Sequence, residues 1–306
     1  MGAIARYFRY FKKSVDEFLG DDCMTMAAAL AYYTVFSLPS ILLILVAVVG
    51  IVFGRAAVEG HIEEQIRGWV GPGAAQQVET MIKKQSQNTS GTVLGLAFGG
   101  LALLFSATTA FTQLQSALNT AWDVQPDPAG GVKNFLFKRL WSFSMLVGIG
   151  VLLLVSLAVS AILPALGRVV SSLPYAGQLL RTVYSVASLA AIVVLLAAIY
   201  KVLPDAKIAW REVWVGAITT GVLFVAGRFL IGLYIGRSGT ASAFGAAGSL
   251  ILIVLWVYYS SMILLLGAEF TQVWAHEHGR RIEPARGAVR AERPQEQPRE
   301  RPREAA

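Results

Sequence analysis

From Ser238 to Ala268 the sequence reads SGTASAFGAAGSLILIVLWVYYSSMILLLGA, without a single Asp, Glu, Lys or Arg. About 20 apolar residues carry a helix through the hydrocarbon of a bilayer, where a helix satisfies its backbone hydrogen bonds within itself. A transmembrane helix over about 246–271 follows, with Glu269 at its far end. Upstream, Met24–Gly54, Gln85–Trp122, Trp141–Gly167, Thr182–Tyr200 and Val213–Gly227 are equally free of charge. They predict spans at about 28–53, 91–115, 141–163, 182–203 and 213–235, the second helix running on to about Trp122. With 55% hydrophobic and 15% charged residues, the chain holds more apolar surface than a soluble domain can bury. The fold expected is an all-α integral membrane protein with six transmembrane helices in one domain, residues 21–275.

The flanking segments refine this picture. Within residues 1–20, Ile4, Phe8, Phe11, Val15 and Phe18 recur at steps of four and three, with Arg6, Arg9, Lys12 and Lys13 between them, as in an amphipathic helix lying at a membrane interface. The link 54–90 repeats that pattern on both sides of Gly71-Pro72-Gly73, predicting two short amphipathic helices on the external surface. Pro39 predicts a kink in the first span. Of 26 Lys and Arg, 18 fall in the N-terminal stretch, the even-numbered links and the tail, against seven in the odd-numbered links. That bias places both termini in the cytoplasm. The tail 276–306, rich in Arg, Pro and Glu, is expected to be disordered. Met1–Gly20 lacks the apolar core of a cleavable signal peptide, so the first span is expected to insert uncleaved. Cys23 is the only cysteine, which excludes an intrachain disulfide.

Several short stretches resemble the YihY/BrkB family of bacterial inner-membrane proteins. They are Ala29-Leu30-Ala31-Tyr32-Tyr33 with Phe36-Ser37; Leu118-Asn119-Thr120-Ala121-Trp122; Tyr200-Lys201-Val202-Leu203-Pro204-Asp205 with Trp210-Arg211-Glu212-Val213-Trp214 and Gly216; and Phe244-Gly245-Ala246, Leu255-Trp256-Val257-Tyr258-Tyr259 and Leu266-Gly267-Ala268-Glu269. The likeness runs from about Phe18 to Trp274, although Pro39 follows Ser37 at a short spacing and Phe244 stands where tyrosine is common in the family. It implies a six-span protein of the bacterial inner membrane. Members of the family have been named a ribonuclease, a historical mislabel, and a serum-resistance factor, and handling of envelope lipids has been suggested for them.

Ionisable groups inside apolar helices are expensive, which makes Arg228 and Glu269 the leading site candidates. Arg228 lies about 22 Å along the fifth helix from Val213, where it either faces a cavity or snorkels to the outer interface. Glu269 lies near the opposite surface, where it either lines a site or pairs with Lys201, Lys207 or Arg211. Thr109, Thr112, Gln113, Ser116, Asn119 and Thr120 form a polar stripe on the second helix, which must face other helices or a wet cavity. Small residues, among them Gly216, Thr220, Gly221 and Gly227, read as helix packing. Asp21, Asp22 and Asp123 read as solvated caps.

The function classes then narrow. A nuclease needs clustered carboxylates or histidines, and no such set is evident; His276 and His278 alone do not make a metal site. No phosphate-cradling Gly-x-x-x-x-Gly-Lys loop is present. Ser37 and Ser106 have no intramembrane base. No enzyme activity, cofactor or metal is expected, and nucleic acid is not an expected partner. The expectation is a transporter or lipid-handling protein for an anionic amphiphile of the envelope, with Arg228, Glu269 and the stripe lining its path. The competing reading is a scaffold that docks envelope proteins. Membrane lipids are partners in either case.

Overall fold

The computed structural model describes residues 3–53, 80, 93–127, 144, 148, 176–238, 246–285 and 287–291 of the 306. The expected third span, 141–163, and the link 54–90 lie outside them, apart from isolated residues. The described helices are α1 (Ala3–Gly20), α2 (Cys23–Phe53), α3 (Val93–Ala121), α4 (Ala176–Val202), α5 (Trp210–Ser238) and α6 (Ala246–Glu277). Helices α2 to α6 cover the other five expected spans and overrun most of them. At a rise of 1.5 Å per residue the 32 residues of α6 reach about 48 Å, well beyond the hydrocarbon thickness. Among the described residues, Ile253–Glu277 is long and apolar enough to cross a membrane.

The helix ends are set by local chemistry. Asp22, with φ of 53°, separates α1 from α2, and its carboxylate accepts a 2.9 Å hydrogen bond from the Thr25 hydroxyl. Asp adopts this left-handed backbone conformation at less cost than most residues. Helix α6 stops at Gly279, whose φ is 72°. The Arg280 N–H donates to the Ala275 carbonyl at 2.9 Å and the Gly279 N–H to that of His276 at 3.0 Å, the paired bonds of a Schellman stop.

Beyond this stop the chain departs from the expected disordered tail. β3 (Glu283–Pro284) pairs antiparallel with β2 (Ala206–Lys207) in the link between α4 and α5, and β4 (Ala288–Arg290) pairs antiparallel with β1 (Val124–Pro126), directly after α3. Gly287, with φ of 80°, lies between the two tail strands. Further backbone bonds tie Ala285 N–H to Asp205 C=O at 2.8 Å and Ala291 N–H to Asp123 C=O at 2.8 Å. A polar tail segment is ordered here because two links offer it backbone partners, which composition does not reveal. Residues 292–306 lie outside the described residues.

Helix α1 forms over the expected amphipathic stretch. Its buried stripe is Tyr10, Ser14 and Phe18, while Phe8, on the apolar face expected from the sequence, is 71% exposed. Tyr10 meets Trp274 edge-on at 5.7 Å, Tyr7 stacks on Trp274 at 5.5 Å, and Lys13 pairs with Glu277 at 3.0 Å. Helix α1 thus docks on the end of α6 through a mixed aromatic and polar face. Its more apolar face is left outward.

The buried core gathers where α2 and α5 begin and α3, α4 and α6 end. It contains Cys23, Ala27, Leu118, Trp122, Tyr200, Leu203, Val213 and Leu265. This end of the bundle also carries α1 and the strand-paired tail.

Candidate functional site

Glu269 lies within this core and is 0% exposed. Its Oε1 accepts a hydrogen bond from the Cys23 thiol at 3.5 Å, joining the end of α6 to the start of α2. Cys23 stands ahead of the expected 28–53 span. Burial pushes its thiol pKa up, and the negative charge of Glu269 pushes it the same way. A thiol kept protonated is a poor nucleophile and a poor metal ligand, so Cys23 offers neither chemistry here. Of the basic residues expected near Glu269, Lys201 donates to the Ile208 carbonyl and lies 5.5 Å over the Trp210 ring.

Around Glu269 the other elements are fastened by polar side chains. Trp122, at 1% exposure, donates its indole N–H to the Ala268 carbonyl at 3.0 Å. Asn119 makes two bonds with Asp205, donating from Nδ2 to the carboxylate at 2.9 Å and accepting from the backbone N–H at 2.8 Å. Gln272 donates to Asp123 Oδ2 at 2.9 Å, and Asp123 turns the chain from α3 into β1 at a φ of 53°. Asp123, expected as a solvated cap, is therefore a fastened corner. Tyr200 donates its hydroxyl to the Leu264 carbonyl at 2.6 Å and lies 3.0 Å from the Thr220 hydroxyl.

The burial of the expected stripe on α3 varies along its length. Asn119 is buried, Thr109 and Gln113 are half-buried, and Thr112, Ser116 and Thr120 are exposed. The Thr109, Thr112 and Thr120 hydroxyls donate back to the Phe105, Thr108 and Ser116 carbonyls of their own helix at 2.7, 2.9 and 3.1 Å. Gln115 and Thr108, absent from the expected stripe, are the other buried polar residues of this helix besides Asn119. Only Asn119 of the six joins the Glu269 end.

Helices α5 and α6 approach closely along a run of small residues. A Cβ on Gly216 would fall 1.8 Å from Thr271 Oγ1, one on Gly267 would fall 1.7 Å from Thr220 Oγ1, and one on Gly227 would strike Tyr259. Thr220 and Thr271 donate to the Gly216 and Gly267 carbonyls at 2.7 Å, so each threonine bonds within its own helix and packs on the glycine of the other. This is small-residue packing of the kind that joins membrane helices. Arg228 falls within α5, but its side chain lies outside the described residues.

What the residues alone did not reveal are the partners: Asp205 for Asn119, Ala268 for Trp122, Cys23 for Glu269 and the tail strands for the links. Three of the stretches quoted for their family resemblance, around Asn119, Tyr200–Asp205 and Leu266–Glu269, converge at this end. They could have been paired with one another on that ground.

The family model described as Virulence factor BrkB matches residues 14–292. A UPF0761 membrane protein of Pseudomonas aeruginosa is 31% identical over 259 residues, covering 82% of this chain and 59% of the relative. A UPF0761 membrane protein of Ralstonia nicotianae is 28% identical over 257 residues, covering 81% and 55%. The putative ribonuclease-like protein YfkH of Bacillus subtilis is 24% identical over 266 residues, covering 85% and 93%. The chain thus spans less than two thirds of the length of its Pseudomonas and Ralstonia relatives. No solved structure matches it. With long charge-free stretches, a family match over most of its length and relatives named as membrane proteins, this bacterial membrane protein belongs to the Virulence factor BrkB family.

Proposed function

We propose that the chain is a six-span inner-membrane protein, with both termini cytoplasmic, that transports or otherwise handles an anionic amphiphile of the cell envelope without catalysing a reaction. The observation that carries this reading is Glu269, a carboxylate wholly buried in a helix long and apolar enough to span a bilayer. Ionisable groups in that setting mark functional pathways by default, because burying them is costly. The Lys and Arg bias puts the Glu269 end on the cytoplasmic side, and Arg228 near the opposite face supplies positive charge for an anionic headgroup. The ribonuclease-like name of the Bacillus relative belongs to that protein alone.

Native mass spectrometry of protein gently extracted from its own membrane tests the proposal. A defined anionic lipid is expected to remain on the wild type and to be lost from Arg228→Ala and Glu269→Gln. If the wild type keeps only bulk lipid and the variants match it, the proposal fails. The scaffold reading draws on the outward Phe8 and Tyr7 of α1, which are 71% and 52% exposed. It requires envelope proteins to be captured by the wild type and lost when 54–90 is exchanged for a neutral linker, with lipid retention unchanged.

A further inference from the structure

The Schellman turn after α6 and the link between α4 and α5 enclose a cavity of about 300 Å³. Its charged lining is Lys207, Glu212, Arg280 and Arg281, and it reaches Ala209 at the start of α5. Neither Arg228 nor Glu269 lines it, so this site goes beyond the function proposed above and its test is independent of that reading.

Two features of the lining demand opposite things of a ligand. Lys207 and Arg281, both exposed at the rim, and the N-terminus of the 29-residue α5 favour an anion. Glu212, 3% exposed, gives its Oε1 to Arg280 at 2.5 Å, which neutralises that guanidinium. Its Oε2 is buried and has no hydrogen-bond partner. A buried carboxylate oxygen without a donor is costly, and a bare anion placed beside it would add repulsion. A ligand carrying both a negative group and an N–H donor satisfies both features.

We propose that this cavity binds a phosphate bearing a primary amine, the chemistry of an ethanolamine phosphate. Lys207 and Arg281 hold the phosphate at the mouth of α5, and the ammonium donates to Glu212 Oε2. Two sources present this chemistry, the headgroup of a membrane lipid and a soluble aminoalkyl phosphate.

Isothermal titration of the full chain in neutral detergent, with O-phosphoethanolamine and inorganic phosphate as probes, tests the assignment. The amine-bearing probe is expected to bind at least about tenfold more tightly, since a charge-assisted hydrogen bond adds about 1.5 kcal/mol or more. Glu212→Gln is expected to abolish this preference while leaving phosphate binding in place. Lys207→Gln and Arg281→Gln, at exposed positions where folding is not at stake, are expected to weaken both probes. Repeating the titration in nanodiscs separates the sources. Loss of binding in phosphatidylethanolamine but not in phosphatidylglycerol identifies the headgroup as the occupant, and unchanged binding in both identifies the soluble compound. Equal affinity for the two probes, no binding of either, or full affinity in Lys207→Gln and Arg281→Gln overturns the proposal.

Discussion

Replacing Gly267 by alanine places a methyl carbon 1.7 Å from Thr220 Oγ1, 2.5 Å from the Tyr200 hydroxyl and 2.9 Å from Thr220 Cβ. None of these atoms is free to withdraw. The Thr220 hydroxyl donates to the Gly216 carbonyl at 2.7 Å, and Tyr200 is held by its 2.6 Å bond to the Leu264 carbonyl. Ordinary contact requires α5 and α6 to part by roughly 1.5–2 Å at this crossing. Overpacking of this kind costs about 1–3 kcal/mol. Loss of the Tyr200 bond to the Leu264 carbonyl adds about 1 kcal/mol, against a gain of about 1 kcal/mol from the helix propensity of alanine. The net loss of about 1–3 kcal/mol corresponds to a melting temperature lowered by roughly 3 °C or more in a detergent thermal-shift assay. Gly20→Ala, where an added Cβ meets nothing within 4 Å, is the control and is expected to melt with the wild type. Adding Thr220→Ala to Gly267→Ala removes the closest clash, so the double variant is expected to fall short of the sum of the singles. The reasoning is refuted if Gly267→Ala melts within about 1 °C of the wild type, or if the double variant is strictly additive.

Because the Cys23 pKa is raised in the fold, the folded chain keeps a proton that the unfolded chain releases. Stability is therefore fully present below the unfolded value near 8.5 and falls as pH rises past it, by up to about 1.4 kcal/mol per pH unit. Thermal shifts from pH 7 to pH 10 should show this loss in the wild type and a smaller one in Cys23→Ala, and equal slopes would count against the burial described. Asn119→Ala removes the acceptor of the Asp205 N–H and should cost about 1–3 kcal/mol, read as a lower melting temperature, whereas Thr112→Ala on the exposed part of the same helix should change it little. Val289→Pro, in the strand that pairs with β1, should break that pairing and open the tail to limited proteolysis near residues 287–291 while α6 survives; an unchanged digest would contradict the register.

Those substitutions also mark where sequence reading succeeded and where it stopped. The helices were legible because absence of charge over membrane-length stretches is a one-dimensional property, and α2, α5 and α6 fall where it places them. The burial of Glu269 was legible as a cost without a partner. Cys23 stands 246 positions away, and no periodicity links the two. The stripe on α3 was legible as polar spacing but not as burial, which varies along it, and hydroxyls such as those of Thr112 and Thr120 also bond the carbonyls of their own helix. Helix α1 was legible in its spacing, but its dock on α6 was not, because it depends on Tyr10 meeting Trp274 and Lys13 meeting Glu277 far along the chain. The tail strands escaped notice because strands of two and three residues carry almost no local signal. Only the Pro284 to Gly287 spacing hinted at a turn.

The strand pairing of the tail also sets an order of events during synthesis. β1 and β2 leave the ribosome long before β3 and β4, their partners, have been made. Until β3 and β4 emerge, both links therefore present unpaired backbone edges. A ribosome that stalls before them, or a protease that trims them from the nascent chain, would release a protein with its helices inserted but that end unsealed. The intactness of residues 283–290 thus reports whether both links have been closed, a property that surveillance of newly made membrane proteins can read.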